Sequence, residues 1–416
     1  MPRYDVAVVG LGAFGSAATY QLAKRGAKVL GIDRFSPPHA LGSTHGETRI
    51  TRMAIGEGSE YSPLALRSRL LWKQIEKENA RLPGHARDEP LFNQCGCLTI
   101  FGAETNVVHH GVQDFFRNIA KAARKYQIRH RTFDSGAAIR AAFPQFAVSD
   151  DDRAFLDLWG GYLRPEACVE TQLRLAEQRH HAMLRRGVTI ESVSSSHMGV
   201  TLTAENGEVF AADRVLLTAG AWLPRFLPAA LRRRFTVTRQ VLHWFEIKSH
   251  AERFAPENCP VFIWDVSGRK LANVRRKPKA VVYGFPLVGG ANGGLKVAHE
   301  EVGRTSDPDR VPRKVTAEEI DHTYTTYVQP FLPDLGPRCV RSATCLYTNV
   351  AGGRFVIDTH PEQPRVTFAS ACSGHGFKHS AAVGEALAER LAGTSPSHVS
   401  LAPFTLKRLE AFLAKA

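Results

Sequence analysis

A glycine-rich turn near the amino terminus is the first stretch of the chain that could carry out chemistry. It reads Gly10-Leu11-Gly12-Ala13-Phe14-Gly15, and Asp33 follows it after a short helix and strand pattern. The first glycine permits a tight turn, the second lets the backbone approach a pyrophosphate, and the third lets a helix pack closely on a strand. Asp33 is placed to accept a hydrogen bond from a ribose hydroxyl. The pattern predicts a dinucleotide site for FAD or NAD, and the neighbouring Arg34 keeps NADP among the candidates.

Three further segments carry charged or reactive side chains, and each allows two interpretations. Arg49 and Arg52 would lie on the same side of a helical turn, either as a clamp for a carboxylate or phosphate or as a solvated face. Lys378 follows a glycine turn at a predicted helix start, where a cation is unfavourable unless an anion lies nearby. Cys345 lies in an apolar strand, where a cysteine is ordinarily a small buried hydrophobe.

The apolar pattern predicts the elements that must position these residues. Around the glycine turn, a strand is expected at 4–9, a helix at 16–25 and a second strand at 28–32. Residues 214–222 read as a strand that ends in a small-residue turn. Near the carboxyl terminus we expect strands at 354–358 and 365–369, a glycine turn at 373–376 and a helix at 379–392. These elements predict one open α/β nucleotide-binding domain.

Between these elements the pattern changes to short strands with scattered proline and glycine, which indicates a second, sheet-rich domain inserted twice. The predicted fold class is therefore α/β, or α+β: a Rossmann-like nucleotide-binding domain with a discontinuous second domain on a mixed or antiparallel sheet. The predicted boundaries are 1–85, 151–225 and 336–416 for the nucleotide-binding domain, and 86–150 and 226–335 for the substrate domain.

Composition excludes several classes of protein. The 416 residues are 44% hydrophobic and 23% charged, which is ordinary for a globular chain. Lysine and arginine outnumber aspartate and glutamate by 54 to 40, for a net charge of +14. The basic residues are scattered, which disfavours a nucleic-acid or membrane partner. We expect a cytoplasmic monomer, because no apolar run approaches the roughly 18 residues of a membrane span and no cleavable leader begins the chain.

The seven cysteines form an odd set without the spacing of a metal site. They are expected to be mostly reduced thiols, and no metal site is predicted.

The chain resembles monomeric sarcosine oxidase and N-methyltryptophan oxidase, FAD enzymes of the D-amino acid oxidase superfamily. The similarity runs from the first strand to the closing helix. Its densest matches are DVAVVGLGAFGSAATYQLAKRG (5–26), FSPPHALGSTHGETRITRMAIGEGSEYSPLALRS (35–68), YGFP (283–286), ATCLYT (343–348), FVIDTHPE (355–362) and SGHGFK (373–378). The second and the last of these are the most specific, and they favour FAD as the cofactor.

The resemblance implies roles for individual residues. Arg52 and Lys378 match the ligands of the substrate carboxylate, and Tyr283 matches an active-site tyrosine. Lys296 matches a lysine that assists oxygen reduction, and Cys345 matches a cysteine joined to the flavin by a thioether. Arg49 and His45 match residues close to the flavin ring. The remaining residues expected at the cofactor are Gly10, Gly12, Ala13, Phe14, Gly15, Asp33, Arg34, Ser43, Thr44, Thr48, Ala219, Gly220, Trp222, Gly374, His375, Gly376 and Phe377.

This chain differs from the family at two positions where the resemblance implies contact with the substituent of the substrate. Ile55 replaces a tyrosine, and Glu300 replaces a histidine four residues after Lys296. The resemblance therefore implies FAD-dependent oxidation of an N-alkylated or cyclic amino acid with an altered substituent, with hydrogen peroxide as a product. Three alternatives stay open: a flavin dehydrogenase that reduces a quinone or protein acceptor, a nicotinamide dehydrogenase, and a noncatalytic flavin-binding protein whose basic 266–282 hairpin is the functional surface.

Overall fold

The computed structural model describes residues 3–84, 89–102, 112, 114–267, 281–290, 292–300, 305–395 and 398–414. Its strands are β1 (Arg3–Val9), β2 (Val29–Asp33), β3 (Arg49–Thr51), β4 (Phe92–Asn93), β5 (Cys97–Phe101), β6 (His130–Phe133), β7 (Arg153–Asp157), β8 (Gly161–Leu163), β9 (Met183–Arg186), β10 (Ile190–Ser196), β11 (Gly199–Ala204), β12 (Val209–Leu217), β13 (Phe235–Ile247), β14 (Val261–Asp265), β15 (Val281–Gly284), β16 (Leu295–His299), β17 (Leu335–Val350), β18 (Val356–His360) and β19 (Gln363–Ser370).

The helices are α1 (Ala13–Lys24), α2 (Ser62–Asn79), α3 (Phe115–Lys125), α4 (Gly136–Ala142), α5 (Pro165–Arg174), α6 (Ala229–Arg232), α7 (Ala317–Thr323), α8 (Ser380–Ala392) and α9 (Leu406–Leu413). Shorter helical turns lie at Ser59–Tyr61, Leu175–Arg179, Gly220–Phe226, Ala251–Phe254, Tyr324–Val328, Ala351–Gly353, Phe377–His379 and Ala402–Phe404. None of these helices has the length and the apolar stretch that a bilayer crossing requires.

The first sheet is the predicted nucleotide-binding sheet. Its strands run in the order β10-β11-β12-β1-β2-β9, and β19 joins it beside β12 and β18. β1 pairs in parallel with both β2 and β12, and residues 6–9 of β1 are all buried. Burial on both faces explains the continuous apolar run at this strand. The predicted strands at both ends of the chain are confirmed, but α1 begins three residues earlier than expected because Gly12 already caps it.

The second sheet has eight strands in the order β17-β13-β16-β15-β14-β5-β7-β6. Most of its pairs are antiparallel, and one, β5 with β14, is parallel, so the sheet is mixed as predicted. Alternate residues of its strands face opposite ways: Phe245 packs in the large core that contains the 324–335 segment, whereas Trp244 packs beside Cys345. One face of this sheet is therefore turned toward the residues expected at the cofactor.

A third, three-stranded sheet corrects one prediction. Arg49 was expected on a helical turn with Arg52, but Arg49–Thr51 form β3, which pairs antiparallel with β8. The pairing of Arg49 with Leu163 supplies the backbone hydrogen bonds that a helical turn would otherwise make. Arg52 follows directly after the strand ends.

The two-domain division stays a prediction. Two strands near its borders, β7 and β17, hydrogen bond within the second sheet, although the predicted boundaries assigned nearly all of their residues to the nucleotide-binding domain. The 266–282 hairpin lies largely outside the described residues.

Close packing of α1 on α8 generates a stability prediction. A Cβ atom at Gly384 would lie 2.4 Å from the Cβ of Ala17 and 2.7 Å from its carbonyl carbon. We expect Gly384→Ala to lower the free energy of unfolding by about 1–3 kcal/mol, measured as a lower melting temperature. Gly102→Ala is the control, because its added Cβ would meet only an Asp152 oxygen at 3.9 Å. Equal melting temperatures for the two variants would contradict the close helix contact.

Candidate active site

One cavity lies between the nucleotide-binding sheet and the inner face of the second sheet. It encloses about 2010 Å³ of space outside the protein atoms, part of it open to solvent. The residues predicted for the site line this cavity, apart from Gly15 and His45. The dinucleotide turn and the residues expected at a substrate therefore share one cavity.

The glycine turn has the shape that a pyrophosphate needs at one end of the cavity. Gly10 has φ +91°, and a Cβ there would lie 2.6 Å from the carbonyl oxygen of Thr218. A Cβ on Gly15 would lie 1.7 Å from the carbonyl oxygen of Gly10, so this glycine serves helix packing and does not face the cavity. Gly12 is open, with Thr44 Oγ1 as the nearest atom at 3.7 Å from an added Cβ. Gly10 and Gly15 thus lie where an added side chain would collide with the backbone, and Gly12 leaves open space beside its backbone, as the motif requires.

Asp33 and Arg34 differ in what they can offer a ribose. The Asp33 carboxylate accepts hydrogen bonds from the backbone N–H groups of Leu11 and Phe35, each at 2.7 Å, and burial raises its pKa. The Arg34 guanidinium instead donates to Asp309 at 2.7 Å. Trp222 also donates to Asp309, at 2.8 Å. Asp309 already neutralises the charge of Arg34, so Arg34 would contribute little to the binding of a ribose phosphate. This arrangement disfavours NADP as the cofactor.

Cys345 lies at the other end of the cavity, on β17. It is 1% exposed and packs with Leu242 and Trp244. Burial raises the pKa of its thiol, while the nearby charges of Arg49 and Lys296 act in the opposite direction. Burial outweighs these two charges, so the pKa of the thiol lies above its ordinary value.

Lys296 is a buried cation held by backbone oxygens. Its Nζ donates to the carbonyls of Gly46 at 2.6 Å and Thr48 at 2.9 Å, and lies 4.6 Å from the ring centre of Phe285. Burial, followed by repulsion from Arg49, lowers its pKa well below the ordinary value. The oxygen contacts favour the charged form, because they accept hydrogen bonds from an ammonium group.

Arg52 and Lys378 form a second cationic centre. The Arg52 guanidinium donates to both carboxylate oxygens of Glu57 at 2.8 Å, and both side chains are buried. Lys378 donates to the carbonyl of His375 at 2.5 Å. Burial lowers the pKa of Lys378 to about 7, with Glu57 raising it and Arg52 lowering it further. Lys378 therefore gains charge as the pH falls through about 7, and an anionic ligand would favour that form.

Backbone hydrogen bonds fix the arginine segment. Buried Asp157 accepts from the N–H groups of Met53 at 2.6 Å and Ala54 at 3.0 Å, immediately after Arg52. Arg49 donates to the carbonyls of Thr48 at 2.8 Å and Ser43 at 2.6 Å. Main-chain carbonyls thus hold the Arg49 guanidinium, whereas the Arg52 guanidinium is held by Glu57 and by the carbonyl of Ala54 at 3.2 Å.

The glycine turn before α8 forms another part of the cavity wall. Ser373 has φ 40° and Gly374 φ 77°, and a Cβ at Gly376 would lie 1.7 Å from the carbonyl oxygen of Ala371. This tight turn brings main-chain atoms of residues 374–378 to the cavity. The His375 ring contacts the Gly353 carbonyl at 2.7 Å.

Three residues that the sequence placed at the site do not line the cavity, namely His45, Ile55 and Gly15. His45 is buried outside the cavity wall, and burial, together with Arg49, lowers its pKa to about 4, so it is neutral at pH 7. Ile55 is fully buried in the main core and does not line the cavity. Gly15 serves helix packing, as described above.

Two residues of the site were not singled out from the sequence. Tyr347 lines the cavity and is hydrogen bonded to Tyr283. Glu57 is the ion-pair partner of Arg52. Tyr347 lies two residues after Cys345, so the period of a strand, which places alternate residues on one face, could have identified it. Glu57 carried no comparable signal, because it lies five residues after Arg52 in an irregular segment.

The residues present fit FAD. Besides the glycine turn that lines the cavity, Thr348 Oγ1 is buried in the wall without a hydrogen-bond partner among the described residues. A ligand in the cavity would satisfy that atom. Within the described ranges, no group of three or more His, Cys, Asp or Glu side chains is placed to hold a metal ion.

Residues 5–390 match the family described as FAD dependent oxidoreductase (DAO). The chain belongs to this family. It is similar to monomeric sarcosine oxidase of Streptomyces avermitilis, with 34% identity over 99% of both chains. It is also similar to N-methyl-L-tryptophan oxidase of Yersinia pestis, with 33% identity over 97% of this chain and 99% of that one.

Among solved structures, the amino acid oxidase NikD in its open form superposes with a TM-score of 0.78 and 22% identity, covering 97% of this chain and 98% of that one. This likeness confirms the predicted fold class. The chain is therefore an FAD-dependent oxidoreductase of the DAO family that acts on CH–NH groups.

The Arg52–Glu57 pair generates a prediction for this DAO-family protein. Glu57→Gln leaves the buried guanidinium without its counter-charge, which should lower the free energy of unfolding by about 3–5 kcal/mol. Acetate should restore part of the lost melting temperature in Glu57→Gln and have a smaller effect on the wild type, because a bound carboxylate supplies the missing charge. Glu362→Gln, an exposed change, is the control. No stabilisation of Glu57→Gln by acetate would show that Arg52 is not open to an added carboxylate.

Proposed function

We propose that this protein oxidises the C–N bond of a secondary amino acid, N-methylated or cyclic, and passes the electrons to oxygen. The observation that carries the proposal is the pair of buried cations, Arg52 and Lys378, in the same cavity as the dinucleotide turn and Cys345. The names of the relatives, sarcosine oxidase and N-methyl-L-tryptophan oxidase, support an N-methyl amino acid as the type of substrate.

In the proposed reaction, Arg52 and Lys378 hold the substrate carboxylate and so orient the amine and its neighbouring carbon. Their positive charge also lowers the pKa of the bound amine, which keeps the nitrogen lone pair available. Bound FAD supplies a two-electron acceptor. Loss of two electrons and two protons from the substrate gives an imine, and water hydrolyses it to an amine and a carbonyl compound. For an N-methyl substrate these products are the primary amino acid and formaldehyde.

Lys296 is proposed to assist the return of electrons to oxygen. Reduction of oxygen by one electron develops negative charge, and a fixed cation in a partly dry site stabilises that charge. The contacts of Lys296 with Gly46 and Thr48 hold its ammonium group in the wall of the cavity. The final product is hydrogen peroxide, formed with the two electrons and two protons removed from the substrate.

Cys345 is proposed to bind FAD through a thioether. Its place in the cavity wall, on the same face of the sheet as Trp244 and Leu242, supports this. Arg49 is proposed to lie against the flavin ring and Tyr283 to steer the substrate amine.

We also propose a monomer in the cytoplasm. The seven cysteines are all free, which fits a reducing compartment.

Acid precipitation tests the attachment of the cofactor. With wild-type protein, the yellow flavin should stay in the precipitate, whereas Cys345→Ser should release it to the supernatant. Cys372→Ser is the matched control, since Cys372 also lines the cavity and should leave the flavin attached to the precipitate. Release of flavin from the wild type would rule out the thioether, and retention in Cys345→Ser would place the bond on another residue.

Product analysis tests the reaction and the role of Lys296 together. With an N-methyl amino acid, the wild type should form formaldehyde and hydrogen peroxide in equal amounts. Lys296→Met should slow reoxidation of the reduced enzyme by oxygen on the order of 100-fold, and slow reduction by substrate much less. Lys248→Met, at an exposed position, is the control. Unchanged reoxidation in Lys296→Met would favour a dehydrogenase with a quinone or protein acceptor.

A further inference from the structure

Residues 46–48 form a tight turn that supplies the carbonyl ligands of Lys296. The Thr48 N–H donates to the carbonyl of Gly46 at 2.8 Å, and Glu47 between them has φ 71°. A hydrogen bond across three residues with a positive φ at the central one defines a γ-turn of the rare and strained form. Lys296 Nζ donates to the carbonyls of Gly46 at 2.6 Å and of Thr48 at 2.9 Å. The conformation of Glu47 therefore decides where these two oxygens point.

The backbone of this turn is held in its strained form by a carboxylate. Positive φ angles are uncommon outside glycine, and a strained residue such as Glu47 persists only where its surroundings hold it. Oε1 of Glu166 accepts hydrogen bonds from the N–H groups of Gly46 at 2.6 Å and of Glu47 at 3.1 Å. Glu166 itself lies in the first turn of α5. One side of the turn is thus fixed through its main chain.

The side chain of Glu47 fixes the other side of the turn. Its Oε2 accepts hydrogen bonds from Trp244 Nε1 at 2.8 Å and from the Arg341 guanidinium at 2.9 Å. That guanidinium also lies 3.9 Å from the ring centre of Trp244. In the second sheet, Trp244 pairs with Lys296 on β16 and with Arg341 on β17. Glu47 therefore connects the turn to the strands beside the lysine and fixes the two carbonyls relative to its ammonium group.

Glu47 influences Lys296 from outside the cavity wall. Lys296 and Thr48 line the cavity, whereas Glu47 is not among the described residues that do so. Burial, followed by repulsion from Arg49, lowers the pKa of Lys296, and the negative charge of Glu47 acts in the opposite direction. Glu47 therefore favours the charged form of the lysine and leaves the space for ligands unchanged.

We propose that Glu47 is a positioning residue for Lys296 in the reaction of the reduced flavin with oxygen. It holds the turn 46–48 in the conformation that directs two carbonyls at the ammonium group, and so keeps that cation where negative charge develops on oxygen. The inference rests on the proposed function, because it assumes that Lys296 assists the reduction of oxygen. Glu47 has no part in binding the substrate carboxylate, so its effect is confined to the oxygen step.

Separate measurement of the two half-reactions tests the proposal. Reduction of the flavin by N-methyl-L-alanine is followed without oxygen, and reoxidation is followed after photoreduced protein is mixed with oxygen. Glu47→Ala removes both side-chain contacts, so reoxidation should slow on the order of tenfold, while reduction keeps its wild-type rate. The matched control is Glu246→Ala, which breaks a 2.6 Å ion pair with another arginine of β17, Arg338, and should change neither rate. Flavin content and melting temperature establish that each variant has folded.

Two further variants separate positioning of the lysine from general damage to the fold. Glu47→Gly should recover most of the reoxidation rate, because glycine adopts φ 71° without strain. In the Lys296→Met background, Glu47→Ala should slow reoxidation no further, because the effects of residues that act through one another do not add.

Unchanged reoxidation in Glu47→Ala, equal losses in Glu47→Ala and Glu47→Gly, or additive losses in the double variant would overturn the inference while leaving the proposed function intact. Unchanged reoxidation in Lys296→Met would instead overturn the proposed role of Lys296, and this inference with it. Failure of every N-methyl amino acid to reduce the flavin would contradict the proposed substrate, and the reoxidation of photoreduced protein would still decide the role of Glu47.

Discussion

The burial of several cations in one cavity is the constraint on which the rest of the site depends. An isolated charge is strongly unfavourable away from water, so each buried cation must be held by oxygen atoms or by an opposite charge. Lys296 and Arg49 are held by main-chain carbonyls, and Arg52 is held by Glu57. Lys378 has one carbonyl contact and a lowered pKa. The cavity is therefore prepared for anions and electron-rich ligands before any of them binds.

The fold supplies these contacts from distant parts of the chain. The loop at residues 42–48 lies against both β16 and β17, because Lys296 donates to Gly46 and Ser43 donates to the carbonyl of Leu346 at 2.5 Å. The same loop leads into β3 and the arginine segment. One short stretch of sequence thus connects Lys296, the strand that carries Cys345 and the segment that carries Arg52.

Much of the first sheet could be predicted from the sequence, because a buried parallel strand followed by a glycine turn leaves a clear local pattern. The site residues followed from motif matches, and most of them line the cavity. Contacts between segments far apart in the chain could not be predicted from the sequence in the same way. The strand at Arg49 depends on pairing with β8, the pairing of Arg34 with Asp309 joins residues far apart in the chain, and the core position of Ile55 depends on packing that no local pattern indicates.

The most direct test of the account compares an N-methyl amino acid with the same amine lacking its carboxylate. N-methyl-L-alanine and N-methylethylamine would be mixed anaerobically with the flavin-loaded protein, and the loss of flavin absorbance would be followed. The account predicts that the amino acid reduces the flavin on the order of 100-fold faster, because its carboxylate engages Arg52 and Lys378. Equal rates for the two amines, or no reduction by the amino acid, would contradict it.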